Sequence, residues 1–377
     1  MAQVTLGDVA IESRETYKGD KSGMPIVGLE HLIPEDVVLS LWDRDKENTF
    51  TKMFRKGDML FGRRRAYLKK AAQAPFDGIC SGDITVIRAK EDRLIPELLP
   101  FIIQNDVLFD FAVGKSAGSL SPRVKWENLK NYKFELPPLP EQKKLAEALW
   151  AINDTLQAYQ KLLIETDELV KSQFIEMFGK RDGAIYCTLE ECCVSVTGGS
   201  TPSMKHEEYY GGEVPFIKSG DVKADYVSSG ALWLTQRALD ETTAKYVPAG
   251  TVVVVTRSGI LKHDLPVAIT SNPVVINQDL KAFEPKPEFS PQYIAWAIRS
   301  REDELLSKTR VMTVDNIESK DLYEIPVMIA SREDQEQFAA FVRQSDKSKF
   351  ALQNAISAAR ETKRSIIADA LGIKGKE

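Results

Sequence analysis

Residues 141–178 read EQKKLAEALWAINDTLQAYQKLLIETDELVKSQFIEMF, a stretch without glycine or proline that ends at Gly179. Good helix formers dominate this stretch, so it predicts one long α-helix. Residues 334–371 read DQEQFAAFVRQSDKSKFALQNAISAARETKRSIIADAL and end at Gly372 in the same way. The two stretches are 193 positions apart at both ends, which indicates an internal duplication.

Apolar side chains in the first long helix follow the spacing of a coiled-coil seam, in alternating steps of four and three residues: Leu145, Leu149, Ile152, Leu156, Tyr159 and Leu163. The second helix repeats this pattern, although Ser345 and Lys349 interrupt it. At 1.5 Å per residue each helix is ~57 Å long, more than a small domain is wide. We therefore expect the helices to pair antiparallel, with one globular module near each end. The alternative is that each helix packs only on its own module.

The two globular parts repeat each other more loosely. Residues 57–61 parallel residues 250–254, residues 81–84 parallel residues 277–280, and Leu136-Pro137 parallels Ile325-Pro326. Short β-branched runs predict strands at 84–87 and 251–256, whereas 96–110 and 291–308 predict helices.

The predicted fold is therefore α+β: two mixed α/β modules joined by two long helices that form an antiparallel coiled coil, with pseudo-two-fold symmetry. The predicted boundaries are 1–136 for the first module, 137–180 for the first helix, 181–326 for the second module and 327–377 for the second helix.

Composition favours a soluble globular protein, with 43% hydrophobic and 28% charged residues. Residues 1–9 do not resemble a secretory signal, and no window approaches the ~18 apolar residues of a membrane span, so we expect a cytoplasmic protein. Four cysteines in 377 residues are typical of reduced thiols. A zinc site formed by Cys187, Cys192, Cys193 and His206 is an alternative, but it lacks a C-x-x-C pair.

The common catalytic patterns are missing or stand in the wrong context. Residues 114–118 match the G-x-S-x-G form around Ser116, yet that motif requires a strand before it and a helix after it, and Pro122 follows too soon. No phosphate-binding P-loop occurs. The nearest approach to the Asn-Pro-Pro-aromatic motif of adenine methyltransferases, at 272–275, lacks the second proline and the aromatic residue. We therefore predict a chain that is not itself catalytic and holds no metal.

A local basic cluster suits nucleic acid, although the net charge of −5 excludes a protein that coats it without specificity. Residues 55–70 contain seven basic side chains and one acidic one. Arginines at 63–65 beside Tyr67 can bind phosphates or the edge of a guanine. The polar loop with Ser116, Ser119, Ser121 and Arg123 allows close approach to a backbone. The alternative is that these basic residues only form the solvent-exposed end of a strand and bind nothing.

The order of motifs resembles the specificity subunit of type I restriction-modification enzymes over nearly the whole chain. The first helix opens with Leu-Pro-Pro-Leu-Pro-Glu-Gln at 136–142. The second module contains Gly-Gly-Ser-Thr-Pro at 198–202, YGGEVPFIKSGDV at 210–222 and Ile-Asn-Gln-Asp at 276–279. The second helix departs from the pattern, because seven residues separate Pro326 from Asp334 where three separate Pro137 from Glu141. We therefore expect a longer connection into it.

The resemblance implies a DNA-recognition subunit in which each module reads one half of a bipartite target. The paired helices would act as a ruler and as the dock for two modification subunits, which carry S-adenosylmethionine. Restriction subunits, with ATP and magnesium, would join in systems that also cut DNA. This chain would bind no cofactor.

The candidate DNA-binding residues combine the basic cluster with polar and basic positions of the second module: Arg63, Arg64, Arg65, Tyr67, Lys69, Ser116, Ser119, Arg123, Thr201, Lys205, Lys218, Ser219, Arg257, Ser258, Lys262, Arg310 and Thr313. Arg64 aligns with Arg257. Two other functions stay open: a coiled-coil scaffold whose modules bind proteins, and a hydrolase that uses Ser116.

Overall fold

The computed structural model describes residues 2–311 and 315–373, which form two compact units. Unit 1 comprises residues Met1–Lys161 and Leu352–Glu377, and unit 2 comprises Leu162–Ala351. Each unit therefore contains one globular module and a part of each long helix. No helix in the described ranges is both long and apolar enough to span a membrane.

Unit 1 contains three small sheets and short helices. Its strands are β1 (Ala2–Thr5), β2 (Ala10–Glu12), β3 (Ile26–Val27), β4 (Lys52–Phe54), β5 (Met59–Gly62), β6 (Ala71–Gln73), β7 (Gly78–Cys80), β8 (Ile84–Ala89) and β9 (Lys133–Leu136). Its helices are α1 (Leu6–Val9), α2 (Leu99–Ile103), α3 (Asp106–Gly114), α4 (Trp126–Leu129) and the beginning of the long helix α5 (Leu139–Phe178).

Unit 2 follows the same order with a few additions. Its strands are β10 (Tyr186–Thr188), β11 (Cys193–Gly198), β12 (Tyr210–Ile217), β13 (Tyr226–Val227), β14 (Leu232–Leu234), β15 (Tyr246–Val247), β16 (Val252–Val255), β17 (Val267–Thr270), β18 (Val274–Ile276), β19 (Leu280–Pro285), β20 (Arg310–Val311), β21 (Asp315–Asn316) and β22 (Pro326–Met328). Its helices are α6 (Gln236–Glu241), α7 (Pro291–Arg299), α8 (Glu302–Ser307), α9 (Ser319–Tyr323) and the second long helix, α10 (Arg332–Ala370).

The strands of the two units pair in the same order. The order β2-β8-β5-β6 of unit 1 recurs as β11-β19-β16-β17 in unit 2, where β13 is added at the edge. The order β3-β7-β4 recurs as β12-β18-β15, with the first pair parallel and the second antiparallel in both units. The turns before β5 and β16 each use a glycine with positive φ, 92° at Gly57 and 80° at Gly250. The duplication and the α+β fold class are thereby confirmed.

Valine-rich strands form much of the core of unit 2, because β-branched side chains pack well on a pleated sheet. All four valines of β16 are fully buried. The helices predicted at 96–110 and 291–308 are each broken once, at Gln104-Asn105 and at Ser300-Arg301.

Both long helices begin two residues before the predicted start, and each contributes to the cores of both units. In unit 1, Leu149 of α5 and Ile367 of α10 share one apolar cluster. In unit 2, the rings of Phe174 and Phe338 lie 5.2 Å apart. The beginning of α5 thus packs with the end of α10, and the end of α5 with the beginning of α10, as antiparallel helices require. The alternative that each helix packs on its own module is wrong.

The polar residues that interrupt the second seam are accommodated within it. Ser345 is buried, and the ammonium of Lys349 lies 3.0 Å from Asp167 and 3.1 Å from Asp346. Burial acts to lower the pKa of Lys349, but these carboxylates together with Asp225 outweigh it and raise the pKa. The charge is therefore compensated, and the seam continues past it.

A buried glutamine anchors the start of each long helix by the same three hydrogen bonds. The side chain of Gln142 accepts from the amide of Ile95 (2.9 Å) and donates to the carbonyls of Arg93 and Pro137. The side chain of Gln335 accepts from the amide of Ser290 (2.9 Å) and donates to the carbonyls of Glu288 and Ala330. The two glutamines are 193 residues apart, as are their partners Pro137 and Ala330, so the starts of the two helices are equivalent.

The predicted longer connection into the second helix is wrong. The amide of Leu6 donates to Tyr132, and the amide of Leu189 donates to Ile325, so Ile325 corresponds to Tyr132. Pro137 corresponds to Ala330, and both glutamines lie five residues further on. The sequence alignment paired Leu136-Pro137 with Ile325-Pro326 because each pair contains a proline. The hydrogen bonds of the folded strands give the true correspondence of residues instead.

Candidate nucleic-acid interface

Surface 1 is formed in unit 1 by loops 63–69, 81–83 and 116–123, which follow the buried strands β5 and β7 and the helix α3. The amide of Arg63 donates to the carbonyl of Asp83 (3.0 Å), and the amide of Val124 donates to the carbonyl of Arg63 (2.9 Å). The amide of Arg65, in the left-handed region at φ 54°, donates to Pro122 (2.8 Å). Backbone hydrogen bonds therefore hold the three loops together.

Asp83 organises the charged side chains of surface 1. Its carboxylate accepts from the Nε of Arg123 at 2.7 Å and lies 3.5 Å from Nη1 of Arg64. The hydrogen bond from Arg123 is the main reason that the pKa of Asp83 is lowered. The Nε of Arg64 also donates to the hydroxyl of Ser121 (2.7 Å). Both guanidinium groups are oriented while remaining about two-fifths exposed.

The remaining predicted residues of surface 1 differ in accessibility. Arg65, Tyr67 and Ser119 are exposed. The Nε of Arg63 is buried without a hydrogen-bond partner in the described structure. Lys69 binds Asp106 at the start of α3 and lines a cavity there, so its charge is already engaged.

Ser116 is poorly placed to be a nucleophile. Its hydroxyl donates to the carbonyl of Ala112 (2.8 Å), and its loop follows the helix α3. The strand–turn–helix context of a hydrolase is therefore missing around Ser116.

Surface 2 is formed in unit 2 by loops 199–205, 218–221, 257–262 and 277–279, on the same backbone frame. The amide of Thr256 donates to Asp279 (2.8 Å), and the amide of Ile317 donates to Thr256 (2.9 Å). Arg257 forms an isolated β-bridge with Asn316, as Arg64 does with Arg123. Arg64 and Arg257 thus occupy the same place in the two modules.

Side chains of surface 2 are less strongly paired than those of surface 1. Arg257 is exposed, and its guanidinium has no ion-pair partner within residues 2–311 and 315–373. Lys262 is 61% exposed and lies 3.9 Å from Asp315. The hydroxyl of Thr201 donates to Gln278, while that of Ser258 accepts from the amide of Ile260. Lys205 is exposed, and Lys218 and Ser219 are half-buried.

Two further predicted residues precede β21 in the sequence. Arg310 lies in β20, and Thr313 lies outside the described residues.

Surface 1 also includes residues 28–31, a loop that the sequence pattern did not reveal. The amide of Ser81 donates to Val27 (2.9 Å), just as that of Asn277 donates to Ile217 (2.9 Å). The turn after β3, residues 28–31, therefore corresponds to residues 218–221. The amide of Gly28 donates to Nδ1 of His31, and that of Lys218 donates to the carboxylate of Asp221, both at 2.9 Å. Matching Pro25-Ile26-Val27 to Pro215-Phe216-Ile217 could have found it.

A metal site is not supported in the described part of the chain. Its one candidate group is Glu30, His31 and Asp43. Both ring nitrogens of His31 are engaged, Nδ1 with Gly28 and Nε2 with Asp43 at 3.3 Å. The alternative zinc site does not form a comparable group, and burial raises the pKa of Cys193 to about 12, which disfavours a thiolate ligand.

Comparison with known proteins identifies the same family in both modules. The model described as "Type I restriction modification DNA specificity domain" matches residues 1–166 and 186–360. The specificity subunit of the type I restriction enzyme EcoR124I/EcoR124II from Escherichia coli is 30% identical over 152 residues, 40% of this chain and 38% of the relative. That of MjaIX from Methanocaldococcus jannaschii is 29% identical over 156 residues, 40% and 35% of the two chains. These matches span under two-fifths of the relatives' length.

Solved structures share the fold over almost the full length. A chain from a structure of a type I R-M system has a TM-score of 0.58 at 22% identity, covering 98% of this chain and 97% of the other. The S subunit from M. genitalium has a TM-score of 0.51 at 13% identity, covering 99% and 96%.

Proposed function

Since this chain belongs to the family of type I restriction modification DNA specificity domains, we propose that it reads a bipartite DNA target, one half-site per module. The observation that carries the proposal is the repeated backbone frame of surfaces 1 and 2. Arg64 and Arg257 occupy the same position in that frame, while the side chains around them differ. Two modules with one framework and different surface chemistry suit the reading of two different sequences.

The long helices are the proposed dock for two modification subunits, which would carry S-adenosylmethionine, with restriction subunits joining in systems that cut DNA. Exposed apolar side chains on these helices support this part of the proposal. Ile164, Leu169 and Ile175 of α5 are 66%, 55% and 50% exposed, and Phe350 of α10 is 65% exposed. Apolar side chains exposed together on one element are typical of protein interfaces.

The decisive experiment is to map methylated adenines by sequencing DNA from cells with and without this chain. A two-part motif with an unread spacer is expected only when the chain is present. Arg64→Ala is expected to relax the motif in one half, and Arg257→Ala in the other, because a lost bidentate base contact costs about 1–3 kcal/mol of discrimination.

The matched control is Arg55→Ala, in the same basic run as Arg64. Arg55 is already paired with Glu15 and Asp77 and lies outside surface 1. If the methylated motif stayed unchanged in both Arg64→Ala and Arg257→Ala, the assignment of these two arginines to DNA reading would be contradicted. Affinity for DNA that does not fall as salt rises would favour the scaffold alternative, because phosphate contacts make binding salt-dependent.

A further inference from the structure

Unit 1 contains a cavity of about 220 Å³ between the last turns of α10 and the beginning of α3. This is room for several water molecules, at ~30 Å³ each. Four basic side chains line it, namely Lys69, Arg360, Lys363 and Arg364, together with the carboxylates of Glu35 and Asp106. Within the described residues, the lining therefore has two positive charges in excess.

The two carboxylates do not reach all four cations. Glu35 lies 3.2 Å from Arg360 and 3.7 Å from Arg364, and Asp106 binds Lys69 and lies 3.7 Å from Arg364. Lys363 has no ion-pair partner in the part of the chain that the structure describes.

Lys363 is half-buried beside apolar lining that includes Phe109, Ile367 and Ile373. Burial is the main cause that lowers the pKa of Lys363, and the attraction of Glu35 offsets the lost hydration only in part. An anion in the cavity would supply the missing partner.

Unit 2 provides an internal comparison, because a cavity of about 360 Å³ lies at the corresponding place beside α5. By the step of 193 residues, Asp167 stands where Arg360 stands and Lys171 where Arg364 stands. Its lining has no positive excess among the described residues, since it contains five carboxylates and four basic side chains. Of these basic groups, Arg299 lies 2.6 Å from Asp225, and Lys349 lies 3.0 Å from Asp167. The positive excess therefore belongs to unit 1 and is not a general property of the fold.

We propose that the cavity of unit 1 binds a small phosphate-bearing anion. A phosphate group with close to two negative charges matches the excess of two, whereas a single carboxylate would leave half of it uncompensated. Guanidinium groups bind phosphate oxygens through paired hydrogen bonds, and Arg360 and Arg364 line the cavity from one face of α10, where they share the single carboxylate of Glu35. The inference does not depend on DNA reading by surfaces 1 and 2.

The test is a titration of the purified full-length chain with inorganic phosphate and with pyrophosphate, at ionic strength held constant with sodium chloride. Saturable heat of binding and a rise in melting temperature are expected. Lys363→Met should weaken binding by at least about tenfold, because charge-assisted hydrogen bonds are among the stronger ones. The control is Lys347→Met, which removes the same charge from an exposed position of α10.

A second variant, Glu35→Gln, guards against a folding defect because it should act in the opposite direction. It removes the negative charge that Arg360 and Arg364 share and leaves Arg364, among the described residues, only Asp106, 3.7 Å away, so phosphate should bind several-fold more tightly. The proposal is overturned if neither anion gives saturable binding, or if both cavity variants bind as the parent chain does. It is also overturned if Lys363→Met weakens binding of a DNA duplex while free phosphate has no effect, since the cation would then serve a DNA backbone.

Discussion

Asp83 is the residue on which the charge geometry of surface 1 depends. Its single carboxylate binds Arg123 and lies near Arg64, and its backbone carbonyl accepts from Arg63. A guanidinium held in place loses less conformational freedom when it binds DNA than a free one does. If surface 1 binds DNA as proposed, Asp83 should favour recognition at defined positions over general attraction to phosphate.

We expect Asp83→Asn to reduce affinity for the target duplex by roughly tenfold, since hydrogen bonds to charged groups contribute about 1.5–3 kcal/mol. Affinity for an unrelated duplex should stay constant or rise, because one negative charge is lost from the surface. Titration of both duplexes at one salt concentration measures the ratio.

The matched control is Asp77→Asn, whose carboxylate pairs with Arg55 outside surface 1. Equal losses for the target and the unrelated duplex would mean that Asp83 contributes no specificity.

Sequence alone located the arginines of surface 1 but not their partners. The alignment of Arg64 with Arg257 holds in the structure, because a glycine turn and a fully buried strand precede both. The pairing of Arg123 with Asp83 spans 40 residues, and that of Lys69 with Asp106 spans 37. Such contacts depend on how the loops fold together, which no local pattern specifies.

The long helices were the most predictable elements, since 38 residues of mostly good helix formers without glycine or proline allow few alternatives. The strands are short, and pairing across the chain sets their register. For that reason the proline-based alignment before α10 failed, while the glutamines at 142 and 335 preserve the true correspondence.

Gln142→Leu should destabilise unit 1 by about 2–4 kcal/mol, because it leaves the amide of Ile95 and the carbonyls of Arg93 and Pro137 without partners. Gln335→Leu should cost unit 2 a similar amount. Urea unfolding followed by circular dichroism measures both.

Gln157→Leu is the control, since it makes the same change at an exposed position of α5. If the buried and exposed variants lost the same stability, the glutamine anchors would be energetically unimportant.

The proposed docking role of the helices leads to a separate prediction. Ile164 and Ile175 are eleven residues apart, about three helical turns, so they lie on one face of α5. Replacing both with Glu should abolish co-elution with the modification subunit in size-exclusion chromatography and leave the urea midpoint unchanged. Ile185→Glu, at an isoleucine that is 70% exposed outside the helices, is the control. Normal co-elution of the double variant would place the dock elsewhere.

The duplication gives the protein two recognition surfaces on one chain, and both long helices pass from one unit to the other. Their equal step of 193 residues and their equal glutamine anchors preserve a matched length, while the recognition loops have changed in sequence. A helix length that stays constant while the loops change in sequence is expected of a spacer that holds two DNA-binding surfaces at a fixed separation.

Lengthening both helices by three heptads tests that spacer directly. Inserting 21 residues after Lys161 and 21 after Ala351 keeps the seam in register and adds ~31 Å to each helix. This is close to one turn of B-DNA, ~34 Å, so both surfaces should still face one side of the duplex. Mapping methylated adenines should therefore show both half-sites unchanged and an unread spacer longer by about nine base pairs. The same insertion in α5 alone should abolish methylation, because the two helices could no longer pair along their length. An unchanged spacer in the doubly extended chain would show that the helices do not set the distance between the half-sites.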